Sequence, residues 1–478
     1  MRTNELARGT LYLMAAQGVF LLSNYCIHFW LGRTLSPALY GVCGVIFSFL
    51  FILRIPLESG MGKAVSKYTA EGKYPVHAVR SCAIKFQFFL ALAFSGVVLV
   101  IAPFIAKSLK DPGLTPYLRM AATFIPIFAA STVYMGILNG ARSFGKQAIV
   151  TFIYSGARIA TVFLLVSLGY GIYGVLSGYF ISAVIGLVIV RSYCADDGRR
   201  EDISFNLKPL ISFAAPIIFF STALTVMMSL DIFFVKALLL DAAKTGFYTS
   251  ASVLAKVPYF IFAAFSMTLF PSIARSASDD KNIELTKKYI DQALRYSLLL
   301  LIPLACIVSA TSRNLVTFVY STQYAEAAMP LSILIFGMSL LSVFIIFTTI
   351  INASGKPVIS FITILAMLLA ACALNLLLIP RYGITGAALA TSLSSLLGLF
   401  IVAFYVFHRF HTLIRALSVF KILLASFAAY FIALHIPAGG ILLLALYLFL
   451  ACIYIALLAL LGEIKKEDLQ IIRGIING

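Results

Sequence analysis

Charge is what this chain has little of. Only 11% of its 478 residues are Asp, Glu, Lys or Arg, against 62% hydrophobic. A soluble globule cannot be built at that ratio, so lipid must be the solvent. The seven cysteines (26, 43, 82, 194, 306, 372, 452) show no CxxC spacing, which indicates neither a disulfide framework nor a metal site. No P-loop and no DxD motif occur, and no loop is long enough for a soluble catalytic domain. ATP hydrolysis is thereby excluded. A cleavable secretory signal is not expected, since Met1 to Thr10 leads straight into a full-length apolar span.

What is present is a series of apolar runs, each of about 20 residues and so able to cross ~30 Å of hydrocarbon as a helix. Fourteen are expected, at about 10–31, 39–60, 82–106, 117–140, 147–168, 172–193, 210–235, 246–270, 290–310, 327–352, 357–379, 384–407, 417–436 and 440–462. The fold class is therefore an all-α polytopic membrane protein.

The net charge of +18 is explained by placement rather than by nucleic acid. With both termini cytoplasmic, inside segments hold 24 of the 36 Lys/Arg, outside loops hold 8, and 4 lie within spans. That is the positive-inside bias of a multi-pass membrane protein, with anionic headgroups as partners; a prokaryotic plasma membrane is the expected location.

The chain also repeats itself. Gly136-Ile-Leu-Asn139 and Gly145-Lys146 recur as Thr349-Ile-Ile-Asn352 and Gly355-Lys356. Tyr170-Gly-Ile-Tyr-Gly174 recurs as Tyr382-Gly-Ile-Thr-Gly386, and Arg54-x-Pro56 as Lys256-x-Pro258. The offsets are 213, 210, 212 and 202 residues, so two copies of one six-helix unit are separated by small insertions. The expected organisation is an N-lobe at 1–195, a charged cytoplasmic linker at 196–207 and a C-lobe at 208–410. An accessory lipid-facing pair at 411–462 and an amphipathic cytoplasmic tail at 463–478 complete it. An even number of spans per copy relates the lobes by a pseudo-twofold along the membrane normal. Substrate sites of duplicated transporters lie near the midplane at the repeat interface.

Intramembrane cations are the first candidates for chemistry, because each costs ~3 kcal/mol or more without a partner or a wet cavity. Arg54, Lys256 and Arg158 all fall near the midplane at ~1.5 Å of rise per residue. Together they suit an anion, above all phosphate. The competing reading is local pairing, since Glu58 lies at i+4 from Arg54. Arg295 sits near enough to a helix end to snorkel.

Asp231 is the only carboxylate well inside the second copy. Asn375 and Thr391 are expected at a similar depth, and such oxygen ligands suit Na⁺, while Asp231 alone could take H⁺. Here the competing reading is an Asp231–Lys236 pair. Gln17 and Asn24 line a cavity or serve core hydrogen bonding. Pro56, Pro126, Pro216, Pro258 and Pro303 permit bends.

These residues resemble the polysaccharide-transporter and lipid-linked oligosaccharide flippase branch of the multidrug/oligosaccharidyl-lipid/polysaccharide exporter superfamily. The carriers are LGRTLSPALYG (31–41), GILNGARSFGK (136–146), YGIYG (170–174), SLDIFF (229–234), TGFYTSASVLAKVP (245–258), LFP (269–271) and NLLLIPRYGITGAALAT (375–391). The resemblance implies two six-helix lobes in a V around a cavity open to one face at a time. It implies a lipid-linked glycan as substrate and glycan-assembly proteins as partners. It also places Arg54 and Lys256 in the cavity and Asp231, Asn375 and Thr391 at a cation. Two departures stand out: Ile379 replaces a second carboxylate, and helix 1 lacks the arginines of the peptidoglycan-precursor branch. The rival readings are a cation-coupled multidrug exporter, a membrane glycan-assembly enzyme and a non-transporting scaffold.

Overall fold

The computed structural model describes residues 3–194, 205–262, 273, 283–436 and 438–464. Every regular element among them is helical. Packing divides the chain into two compact units, Met1–Gly246 and Phe247–Gly478. The division falls after the seventh expected span, so packing units and sequence repeats are different partitions of the chain.

The first unit contains α1 (Thr3–Thr34), α2 (Pro37–Ser59), α3 (Met61–Glu71), α4 (Val76–Ser108), α5 (Thr115–Ala122) and α6 (Ile125–Gly140). It continues with α7 (Phe144–Leu165), α8 (Gly171–Tyr193), α9 (Leu207–Met227) and α10 (Leu230–Leu239). Helix α11 (Ala242–Ala255) begins in the first unit and ends in the second. The second unit adds α12 (Ile283–Ala310), α13 (Ser312–Val319), α14 (Ala328–Ala353), α15 (Pro357–Phe410), α16 (Ala416–His435) and α17 (Leu442–Leu460).

Local chemistry sets several of these boundaries. Ser36 caps α2 by accepting the Leu39 N–H (3.4 Å), and Pro37 occupies the first helical position, where its missing N–H costs nothing. Helix α3 stops where Gly72 turns left-handed (φ 65°).

Among the described residues, ten helical segments are long and apolar enough to cross a membrane. Two of them, Phe144–Tyr193 and Pro357–Phe410, double back on themselves. The reversals sit at Gly171 (φ 49°, ψ −127°) and Gly383 (φ 59°, ψ −138°), conformations that only glycine adopts without strain. The returning legs approach so closely that a Cβ on Gly174 would meet the Leu165 backbone at 3.0 Å, and one on Gly386 would press on the Leu378 backbone. Helix α1 spans 32 residues as well, and the eighth expected span (246–270) runs into residues outside the described set.

The duplication is visible in hydrogen-bond detail. The N–H groups of Ala141, Arg142 and Ser143 bond to the carbonyls of Ile137, Asn139 and Leu138; those of Ser354, Gly355 and Lys356 bond to Ile350, Asn352 and Ile351. Asn139 donates to Gln147 (3.2 Å), and Asn352 accepts from Ser360 (2.9 Å), eight residues on in both copies. This register corrects the sequence match by three residues: Gly355 is the counterpart of Arg142, not of Gly145. Both occupy the left-handed helix-end position (φ 56° and 82°), and the first copy fills it with arginine, which hides the equivalence.

In the second unit α16 and α17 are pinned to α12 and α13. The Tyr454 hydroxyl donates to the Leu299 carbonyl (2.8 Å), Asn314 donates to the Ala438 carbonyl (2.7 Å), and Thr311 bonds Tyr447 (2.9 Å). Their outward faces stay apolar and exposed, as at Leu442, Leu448 and Leu460, which agrees with a lipid-facing pair. Most of the charged linker (195–204), the LFP motif and the tail from 465 lie outside the described residues.

Candidate functional site

The structure assembles a cationic cluster of side chains, hereafter the cationic pocket, inside the first unit from α1, α2, α6, α7 and α8. Arg54 projects from α2 two residues before Pro56 and is half-buried. Its guanidinium pairs with Glu58 and lies over the rings of Phe20 (5.7 Å) and Phe128 (5.1 Å). Arg158, on α7, is buried almost completely, at 1% exposure. It donates to Ser23 and to the Phe20 carbonyl (3.3 Å), and sits over Phe20 (4.8 Å), Tyr154 (5.3 Å) and Tyr179 (5.4 Å). Phe20 is thus shared by both arginines. Its own ring stacks on Tyr154 at 6.3 Å.

The charges in this pocket do not balance. Glu58 neutralises Arg54, but no carboxylate pairs with Arg158 among the described residues, and its Nε is buried without a hydrogen-bond partner. Aromatic faces and two hydrogen bonds offset part of the desolvation cost of a guanidinium. The pocket retains one net positive charge in the interior of an apolar bundle, an environment that attracts an anion. The i+4 pairing of Arg54 and the cationic pocket therefore coexist, rather than exclude each other.

Sequence reasoning missed Phe20, Ser23, Tyr154 and Tyr179. Aromatics and serines in an apolar run carry no signal on their own, because they are common in membrane helices. Of the other helix 1 candidates, Asn24 is half-buried and Gln17 is exposed.

Lys256 belongs to the second unit. It stands, half-buried, at a one-residue interruption just after α11. Its N–H bonds the Ser252 carbonyl (3.1 Å) and its carbonyl accepts from Phe260 (3.2 Å), so the backbone stays near-helical around Pro258.

Asp231 lies in the first turn of α10, just past the break at Met228–Ser229, and is 1% exposed. One of its oxygens accepts the Ile232 N–H (2.8 Å). Lys236 does not neutralise it. Lys236 pairs instead with Asp111, in the connection between α4 and α5, at 2.7 Å. In the second unit Asn375 and Thr391 sit eight residues before and eight after the Gly383 reversal, both buried. The hairpin thus brings them to one depth. The Asn375 amide donates to Ala371 (2.7 Å) while its Oδ1 is buried without a partner, an acceptor suited to a cation. Ile379 is fully buried where a second carboxylate would stand.

Arg295 does not snorkel. It is 5% exposed and holds Glu463, itself 4% exposed, through the carboxylate (2.8 Å) and the backbone carbonyl (2.5 Å). Among the described residues no cluster of three or more His, Cys, Asp or Glu could hold a metal ion.

Helical hairpins repeated about glycine reversals, with buried cations in an apolar bundle, define a duplicated polytopic membrane protein. Comparison with known proteins makes this specific. Residues 30–329 match the family described as polysaccharide biosynthesis protein, and the chain belongs to that family. Among similar curated proteins are the probable low-salt glycan biosynthesis flippase Agl15 of Haloferax volcanii and the putative O-antigen transporter of Shigella flexneri. The first is 24% identical and matches 82% of this chain and 81% of that protein. The second is also 24% identical, over 77% and 90%. Among solved structures, the lipid II flippase MurJ in an inward closed conformation superposes with a TM-score of 0.79 at 17% identity, covering 94% and 98% of the two chains. An inward-facing multidrug transporter of the MATE family gives 0.70 at 15% identity, over 82% and 94%. The chain thus shares the fold of these two structures.

Proposed function

We propose that the protein is a flippase that carries lipid-diphosphate-linked glycan precursors from the cytoplasmic to the outer leaflet by alternating access. One observation carries this reading: Arg158 is buried with no carboxylate partner among the described residues, beside Arg54 on a shared Phe20 face. A diphosphate supplies the charge that the pocket lacks, and planar guanidinium groups suit its oxygens. Glu58 holds Arg54 in place until the substrate arrives and then yields to it. Lys256, a half-buried cation of the second unit, is a separate candidate for the cargo. The named functions of the relatives, glycan flippase and O-antigen transporter, support a lipid-linked glycan as cargo.

No step requires covalent chemistry, so the protein acts as a transporter and not as an enzyme. The driving force is a cation, Na⁺ or H⁺, whose binding biases the conformational equilibrium. In the first unit Asp231 is the candidate carrier of the negative charge for it; in the second unit Asn375 is a separate candidate, through its orphaned Oδ1. With a single carboxylate and Ile379 in place of a second, protonation of Asp231 suffices for coupling. Both termini face the cytoplasm of a prokaryotic cell.

The test is translocation of a fluorescent lipid-diphosphate glycan in proteoliposomes, comparing wild type with Arg54→Ala/Lys256→Ala. Transport by the wild type alone, with the variant folded, supports both function and site. Equal transport by the two removes these residues from the substrate path.

A further inference from the structure

Two adjoining pockets in the second unit share Leu413. The first, about 260 Å³, is lined only by apolar side chains of α12, α14, α15 and the connection that follows it, among them Leu294, Leu298, Phe347, Phe400, Ala403 and Ile414. Phe400 is 67% exposed, so this cleft opens toward the lipid-facing surface. The second, about 440 Å³, lies at the N-terminal end of α12 and contains Lys287, Lys288, Arg295, Arg415, Glu284 and Asp291.

Two of its four cations are already engaged: Lys287 by Glu284 (2.6 Å) and Arg295 by Glu463. Lys288, Arg415 and Asp291 have no ion pair among the described residues, so the recess keeps one net positive charge. The distance from Lys287 to Leu298 is eleven residues, or ~16 Å along the helix. A basic recess therefore opens into an apolar cleft that runs one acyl-chain segment into the bilayer.

We propose that this recess is a binding site for an anionic phospholipid of the surrounding membrane. Its phosphate lies between Lys288 and Arg415, and one acyl chain lies in the cleft beside Phe400. Basic recesses between helices on the cytoplasmic side are places where anionic headgroups bind. A zwitterionic lipid fills the cleft equally well but cannot answer the unpaired cations. The site is separate from the pocket around Arg54 and Arg158, which belongs to the other unit, so it does not depend on the cargo proposed above.

The experiment uses the purified full-length protein and native mass spectrometry with dioleoyl-phosphatidylglycerol or dioleoyl-phosphatidylcholine. Wild type should retain the anionic lipid in preference to the zwitterionic one. Lys288→Gln/Arg415→Gln should weaken that preference about thirtyfold, since each basic side chain supplies about a fivefold preference for an anionic surface. Ala403→Trp should expel both lipids by filling the cleft. Lys421→Gln, on a half-buried residue outside the recess, should behave as wild type. An unchanged preference in the double Gln variant, or equal retention of both lipids by wild type, overturns the proposal. So does displacement of phosphatidylglycerol by a polyprenyl diphosphate through the same two residues, which would give the recess to cargo.

Discussion

Replacing Arg158 by Met separates a structural from a functional role more cleanly than any other single change. In the folded state the guanidinium donates to Ser23 and to the Phe20 carbonyl and lies over three aromatic rings. Three desolvated cation–π contacts are worth on the order of 2–4 kcal/mol together. Against them stands the cost of keeping a charge in the membrane interior without a carboxylate, ~3 kcal/mol or more. The two nearly cancel. Nothing is orphaned by the substitution, because Ser23 still donates to the Phe20 carbonyl (2.8 Å). Thermal unfolding in detergent should therefore move little, or upward. Transport should behave differently: a hydrogen bond from a charged donor to phosphate is worth about 1.5–3 kcal/mol, so translocation should fall roughly 10- to 150-fold. A clear loss of thermal stability with unchanged transport per folded molecule would refute the reasoning and make Arg158 a packing residue.

Other changes follow from the same physics. Arg295→Met strands the Glu463 carboxylate and should destabilise by about 3–5 kcal/mol, whereas Arg295→Met/Glu463→Leu should recover most of that loss in the same melting assay. Gly383→Ala forces a Cβ into a backbone region reserved for glycine and should cost about 1–3 kcal/mol, with Gly171→Ala matching it because the two reversals are equivalent. Asp111→Asn leaves Lys236, 7% exposed, without its partner. It should lower stability by about 1–3 kcal/mol, discounted for the 29% exposure of Asp111. A double-mutant cycle with Lys236→Met checks the coupling, and additivity would deny the pair.

The spans were legible because a helix in lipid must be apolar for its whole length, and the reversals because Gly171 and Gly383 recur in matching strings. Lateral pairing was not legible. The partner of Arg295 lies 168 residues away at the edge of the tail, and nothing local marks Glu463 as buried. The sequence offers Asp231, five residues away, as one candidate partner of Lys236, yet the partner is Asp111, 125 residues earlier in the connection between α4 and α5. The register of the duplication slipped by three residues because Arg142 holds a left-handed position where the second copy has glycine. Arg54 and Arg158 were visible as costly intramembrane charges, whereas the aromatic cage that holds them depends on rings from α1, α6, α7 and α8 meeting around the two guanidinium groups.

The most direct measurement is a cargo comparison with the wild-type protein in proteoliposomes. Three labelled compounds would be offered: a lipid-diphosphate glycan, the same glycan on a neutral lipid, and a cationic drug. Translocation of the diphosphate alone, inhibited by excess unlabelled diphosphate, is the predicted result. Movement of the drug, or of the neutral lipid as fast as the diphosphate, would contradict an anion-selective flippase.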